Sequence, residues 1–141
     1  MLRANVKVVH VAVAVISIKE NSEKKVLIAK RPGHVHKGGF WEFPGGKVED
    51  AETVLEALSR ELKEELAISI LDAEPFLEVR HEYPEKSVFL DVWEVTRFTG
   101  CAVGNEGQPI AWISVDQING YQFPEANRPI IDELQKLRSK S

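Results

Sequence analysis

The chain has 141 residues and only one cysteine, Cys101. No disulfide can form within it, and a reducing cytoplasm is the expected home. Long apolar runs are also missing. Residues 8–18 come nearest, but His10 interrupts them and they are too short to cross a membrane. Lys19-Glu20 follows where a signal peptide would carry a small-residue cleavage site, so neither a leader nor a membrane partner is expected. There is no repeat, low-complexity tract or Gly/Ser linker, and one domain over residues 1–141 is the expectation. A basic excess is absent too. A net charge of -4 speaks against a nucleic acid polymer as partner, though a metal ion could still supply local positive charge for a small anionic substrate. His10, His34, His36 and His81 have no zinc-like spacing with cysteine, and Cys101 has no visible catalytic partner.

What is present is an alternation of strand and helix signals. Residues 7–18 are rich in Val and Ile, as in a strand covered on both faces. Residues 19–25 read as a hairpin-type connection and 26–31 as a second strand. Residues 32–39 form a loop, 40–43 an aromatic extended stretch, and Pro44-Gly45-Gly46 a turn. From about Glu52 to Leu66 the period becomes helical, with Val54, Leu55, Leu58, Leu62 and Leu66 on one face and Asp50 as a plausible N-cap. Two strands over 68–83 and 88–98, a loop to 109 and a short strand over 110–115 follow. Phe123-Pro124 introduces a last helix striped by Ile130, Ile131, Leu134 and Leu137. Strands flanking a central helix, with a second helix at the end, predict an α/β protein with a mixed sheet between helices. Trp41, Trp93 and Trp112 read as packing residues.

Arg60, Glu61, Glu64 and Glu65 stand on the first helix, and the three glutamates share a face beside the leucine stripe. Like charges at these spacings repel by a few tenths of a kcal/mol per pair, so helix stability does not ask for them. A hard divalent cation would remove the repulsion, and carboxylate oxygens suit Mg²⁺. The bland alternative is a solvated acidic face; the Gly-rich turn just before the helix favours a site, because free backbone groups there can reach a metal or a phosphate.

Gly46, then Glu52 after five residues, Arg60-Glu61-Leu62 after seven more, then Glu64-Glu65 and Ile68, resembles the box of the Nudix hydrolase family. The one departure is Ala67, where the family usually has glycine at the helix end. The resemblance implies an α/β/α sandwich with the catalytic helix after the Gly-rich turn, and a hydrolase that cleaves a nucleoside diphosphate linked to another moiety. It also implies Mg²⁺, with Mn²⁺ as a possible substitute, held by Glu61, Glu64, Glu65 and the carbonyl of Gly45, with Arg60 fixing a neighbouring glutamate. Glu52 would be a supporting carboxylate or simply a helix N-terminal charge. Glu106, in a Glu-Gly-Gln-Pro run, would be an additional metal-binding glutamate. Either Glu61 or Glu106 would be the general base.

Beyond the box, the stretch from Glu42 to Lys47 and the pattern Phe123-Pro124-x-Ala126-Asn127-x-Pro129-x-Ile131 resemble the MutT-type members, which hydrolyse oxidised guanine nucleotides. The resemblance implies that Asn127 reads the base, that Arg31 and Phe43 line the pocket, and that Glu85-Lys86 stands where those members have an Asp-Arg pair. Phe43 could equally be core, and Asn127 a residue at a helix start. The expected reaction converts 8-oxo-dGTP to 8-oxo-dGMP and pyrophosphate, in a monomer acting on the nucleotide pool. The rival expectations are a Nudix hydrolase of another nucleotide, such as CTP, a dinucleoside polyphosphate or a nucleotide sugar, and a nucleotide sensor without catalysis. An RNA-processing member would need a basic groove or extra domain, and the sequence has neither.

Overall fold

Alternation along the first long strand decides the architecture. In β1 (Lys7–Glu20), Ala12, Ala14 and Ile16 belong to one buried cluster, while Val13 and Val15 belong to another. A strand buried on both faces needs a cover on each. In the computed structural model, which describes residues 7–33 and 39–138, two helices provide it. On one face lies α1 (Val54–Leu66), whose Ala57, Leu58, Leu62 and Leu66 pack with Ala12, Ala14, Ile16 and Leu27. The small Ala12 and Ala14 leave room for the helix to approach. On the other face α2 (Arg128–Arg138) packs Ile130, Ile131 and Leu134 with Val13, Val15 and Val92. The α/β/α sandwich expected from the sequence is the fold observed.

The sheet is mixed. Its strands are β1, β2 (Glu23–Lys30), β3 (Trp41–Glu42), β4 (Gly45–Lys47), β5 (Ser69–Glu82), β6 (Lys86–Thr99) and β7 (Ile110–Ser114). β1 runs parallel to β6, and β5 is antiparallel to β6. On its other edge β1 changes partner: residues 17–20 pair with β2, whereas residues 11–13 pair with β4. β1 and β2 therefore part beyond the Ser17–Val26 pair. β2 continues with β3 and β7, and β4 enters the gap. The Pro44 carbonyl accepts from the Ala14 N–H at 2.8 Å, and the His10 carbonyl from the Val48 N–H at 2.9 Å, which fixes β4 at both ends.

Some expected boundaries move, each for a local reason. The connection expected over residues 19–25 contracts to Asn21-Ser22, both at positive φ, and this two-residue turn lets the strands pair as far as Glu20 and Glu23. The N-cap of α1 is Thr53, not Asp50. Thr53 Oγ1 accepts from the Glu56 N–H at 3.1 Å and Glu56 Oε1 from the Thr53 N–H at 2.8 Å, a reciprocal pair that satisfies two otherwise unpaired donors. Leu55 and Leu137 are 38% and 43% exposed and fall outside the buried stripes. They sit in the first turn of α1 and the last of α2; periodicity gives a direction but not whether anything covers a helix end. The expected packing roles of the tryptophans hold: Trp112 stacks on Phe98, Trp41 meets Tyr121 edge-on, and Trp93 donates to Asp91. His34 and His36 lie outside the described residues. No helix among the described residues is long and apolar enough to cross a membrane.

Ala67 ends α1 in the left-handed region, at φ 61° and ψ 35°, with its N–H on the Lys63 carbonyl at 3.1 Å. A Cβ there costs on the order of 1 kcal/mol against glycine. Ala67→Gly is expected to raise unfolding stability by about 1 kcal/mol in urea denaturation; a loss of stability would contradict this account of the helix end.

Candidate active site

Two glycines bring the two faces of the sheet together. In β4, a Cβ on Gly45 would lie 2.0 Å from the Ala12 carbonyl oxygen, and the residue's φ of +150° disfavours a side chain as well. A Cβ on Gly46 would lie 2.3 Å from Glu61 Oε2. β4 thus runs hard against β1 on one side while the Glu61 carboxylate rests on the other.

Arg60 organises the acidic residues around that point. Its guanidinium donates to Glu52 at 2.8 and 3.0 Å, to Glu61 Oε1 at 2.8 Å and to the Lys47 carbonyl at 3.1 Å. Glu49 and Glu64 are farther from it, at 3.3 and 3.9 Å. Glu52 also accepts from the Glu49 N–H at 2.9 Å. The Arg60 hydrogen bonds, with that backbone N–H, hold the Glu52 carboxyl down at about 2. Glu52 lies before the helix and is tied to Arg60; its place is that of a structural ion partner more than of a free helix-end charge.

The three box glutamates are not equivalent. Glu64 is exposed, whereas Glu61 and Glu65 are half-buried. Burial pushes the Glu65 carboxyl up to about 9, aided by Glu61 beside it and by the nearby charges of Glu42 and Glu106. Glu106 comes from the loop between β6 and β7, so two distant segments meet at Glu65.

Across β4, on the α2 face, lies a cavity of about 570 Å³ lined by Arg31, Glu42, Phe43, His81, Tyr83 and Asn127 among others, with Gly45 and Gly46 in its wall. Phe43 is both core and lining: it is 4% exposed and stacks on Phe123 at 5.3 Å between ring centres. Arg31 Nη1 donates to Glu42 Oε1 at 2.7 Å. Burial raises the Glu42 pKa, and this pairing partly offsets the rise. Asn127 ends a 3₁₀ turn (Glu125–Asn127) whose N-cap position is Pro124. It therefore stands directly before the first residue of α2, as a residue at a helix start would, but no cap bond from its side chain occurs among the described residues.

Arg31, Phe43, Gly45 and Asn127 are thus brought to one cavity, and Glu61, Glu65 and Glu106 to one acidic cluster at its edge. Glu85 and Lys86 are not brought in. Both are exposed at the tip of the β5–β6 hairpin, and His81 and Tyr83, in ring contact at 4.7 Å, line the cavity from that hairpin. Sequence reasoning missed His81, Tyr83 and above all Glu42. Strand alternation carried a signal for the first two: His81 pairs with Val88 and shares the cavity face with Val79, two residues earlier.

A NUDIX domain family model matches residues 13–133. The chain belongs to the Nudix family. It is 37% identical to the 8-oxo-dGTP diphosphatase of Escherichia coli over 93% of this chain and 99% of that protein. It is 33% identical to the CTP pyrophosphohydrolase of the same organism, over 94% and 96%. Among solved structures, the E. coli ORF135 protein superposes with a TM-score of 0.84 at 31% identity, covering 99% of this chain and 97% of that one.

The donors present in this Nudix domain suit a divalent cation. Half-buried Glu61 and Glu65 carboxyls crowd each other, which is the electrostatic situation a hard cation relieves. Among the described residues no three acidic, histidine or cysteine side chains are already gathered closely enough to hold a metal. Glu61 is shared between two neighbours: its Oε1 accepts from Arg60 at 2.8 Å, and its carboxyl is also in hydrogen-bond contact with that of Glu65.

A pH dependence follows for the protein with divalent cations chelated. The folded state keeps the Glu65 proton up to about pH 9, whereas an unfolded glutamate releases it near 4.5. The folded state binds more protons across that window, so stability falls as pH rises through it. Glu52 has the opposite sign: its contribution is present above 4.5 and is lost as pH falls towards about 2. Urea denaturation in a chelator should show the decline between about pH 5 and 9, and Glu65→Gln should flatten it; a slope unchanged by the substitution would place the proton on another group.

Proposed function

We propose that this chain is a Mg²⁺-dependent pyrophosphohydrolase that converts 8-oxo-dGTP and water to 8-oxo-dGMP and pyrophosphate. Asn127 carries the substrate assignment: a half-buried side-chain amide at the cavity lined by Phe43, which stacks on Phe123, with no hydrogen bond from that side chain to the described residues. 8-Oxoguanine carries a hydrogen on N7 where guanine has a lone pair. The Asn127 amide accepts from that N7–H through its oxygen and donates to O6 through its nitrogen. Guanine would oppose two acceptors, at a cost of about 1–3 kcal/mol for the unpaired group.

At the acidic end, Glu61, Glu64 and Glu65, with the Gly45 carbonyl, would hold Mg²⁺ or Mn²⁺. Bound there, the cation supplies charge neutralisation at the phosphoryl oxygens and a more acidic water. Glu61 or Glu106 takes the proton of the attacking water. Arg60 keeps Glu52 and Glu61 in place through charge-assisted bonds. The Arg31–Glu42 pair lines the cavity and, through the action of Glu42 on Glu65, connects it to the acidic cluster; Arg31 would contact the substrate there. The protein acts as a cytoplasmic monomer on free nucleotides.

The likeness to a CTP pyrophosphohydrolase supports a second reading, in which the same chemistry serves a pyrimidine nucleotide. The two readings part at Asn127. Asn127→Leu should reduce the preference for 8-oxo-dGTP over dGTP at least tenfold in kcat/KM, matching about 1.4 kcal/mol; a preference unaltered by the substitution excludes Asn127 from base reading. Glu64→Gln should abolish Mg²⁺-dependent turnover with the thermal transition retained, and near-normal turnover would reject the metal assignment.

A further inference from the structure

The loop between β6 and β7 is bound to α1 through polar groups. Asn105 Nδ2 donates to the Glu64 carbonyl at 3.0 Å and Gln108 Nε2 to the Glu65 carbonyl at 2.9 Å. The backbone N–H groups of Asn105 and Val103 reach the Glu65 and Leu66 carbonyls at 2.9 and 3.1 Å. These are carbonyls that the end of a helix leaves without partners. A helix end can be capped in many ways, but here the cap is made by the segment that carries Glu106.

Gln108 does more than cap. While its nitrogen donates to α1, its side-chain oxygen accepts from the Glu106 N–H at 2.9 Å. One carboxamide, donor and acceptor at once, therefore joins the Glu65 carbonyl to the Glu106 backbone. The loop is drawn tight around it: a Cβ on Gly104 would lie 1.9 Å from the Gln108 carbonyl oxygen, and Gly107 turns at φ +82° with its N–H on the Gly104 carbonyl at 2.9 Å. Glu106 is held at the tip of this turn, near enough for its charge to act on Glu65.

We infer that Gln108 is a positioning residue for the hydrolysis: its carboxamide fixes the Glu106 backbone to the C-terminal end of α1, so the loop carboxylate meets the Glu61–Glu65 pair in a set register. The inference rests on the proposed role of Glu106 in the reaction. Gln108→Leu keeps the side chain's bulk but breaks both bonds, freeing the Glu106 backbone. Gln108→Glu keeps an acceptor for the Glu106 N–H and loses the donor to α1.

The test is a double-mutant cycle of Gln108→Leu and Glu106→Gln. It reads kcat and KM on whichever of 8-oxo-dGTP and CTP is turned over faster, and Mn²⁺ affinity of the substrate-free protein by electron paramagnetic resonance. Glu106→Gln should lower kcat about 100-fold, the scale of a lost proton acceptor. Gln108→Leu should lower kcat about tenfold with KM within about twofold, and should add nothing in the Glu106→Gln background. Mn²⁺ affinity should follow the same non-additive pattern. If Gln108→Leu lowers both quantities by the same factor with and without Glu106, Gln108 is merely structural and the inference falls while the role of Glu106 stands. If Glu106→Gln alone leaves kcat and Mn²⁺ affinity unchanged, the role of Glu106 falls and the inference with it. Should Gln108→Leu fail to fold, Gln108→Glu takes its place in the same cycle.

Discussion

The site depends on backbone passing where no side chain fits. β4 lies between β1 and α1 with Gly45 against the Ala12 carbonyl and Gly46 against the Glu61 carboxylate, and a methyl group at either position would have to displace one of them. This close approach is possible because β1 gives up β2 midway and accepts β4 instead. The cavity belongs to the α2 face and the carboxylates to the α1 face, and the two glycines are the thin wall between them. On the proposed function, a nucleotide in the cavity would thereby have its phosphates within reach of acids that the sheet would otherwise screen.

A second constraint is electrostatic. Crowding glutamates beside an apolar sheet face is unfavourable unless something opposes it, and Arg60 does so for Glu52 and Glu61 but not for Glu65. Glu65 is left holding a proton, while Glu52 is locked as an anion. The cluster is thus uneven, with the carboxyl that has no cationic partner on the side where Glu106 approaches. Such an arrangement favours a hard cation, and stability without one is lower for it.

Much of this was readable in the residues. Alternating Ala and Val along β1 required two covers, and the spacing from Gly46 through Glu65 identified the acidic helix and its Nudix character. What local pattern could not give was tertiary. Asp50 and Thr53 are both good N-caps, and only the Glu56 partner distinguishes them. Leu55 and Leu137 have the right period but stay more than a third exposed. Glu42 reads as one residue of a strand before a turn; its burial, its bond to Arg31 and its influence on Glu65 arise from the pairing of β3 with β2. Glu85 and Lys86 matched by position along the chain, but the hairpin tip carries them outward while His81 and Tyr83 turn to the cavity.

The proposed function hangs on one junction, a cavity joining a base reader, Asn127, to a pyrophosphate-releasing acidic cluster. It is tested most directly by kcat/KM of the wild-type protein for 8-oxo-dGTP, dGTP and CTP with Mg²⁺, with products identified. The expected result is a preference for 8-oxo-dGTP over dGTP of at least about 100-fold, as for a site that rejects an analogue through unpaired buried groups, with 8-oxo-dGMP and pyrophosphate as products. Equal hydrolysis of the two guanine nucleotides, or faster hydrolysis of CTP, would contradict it.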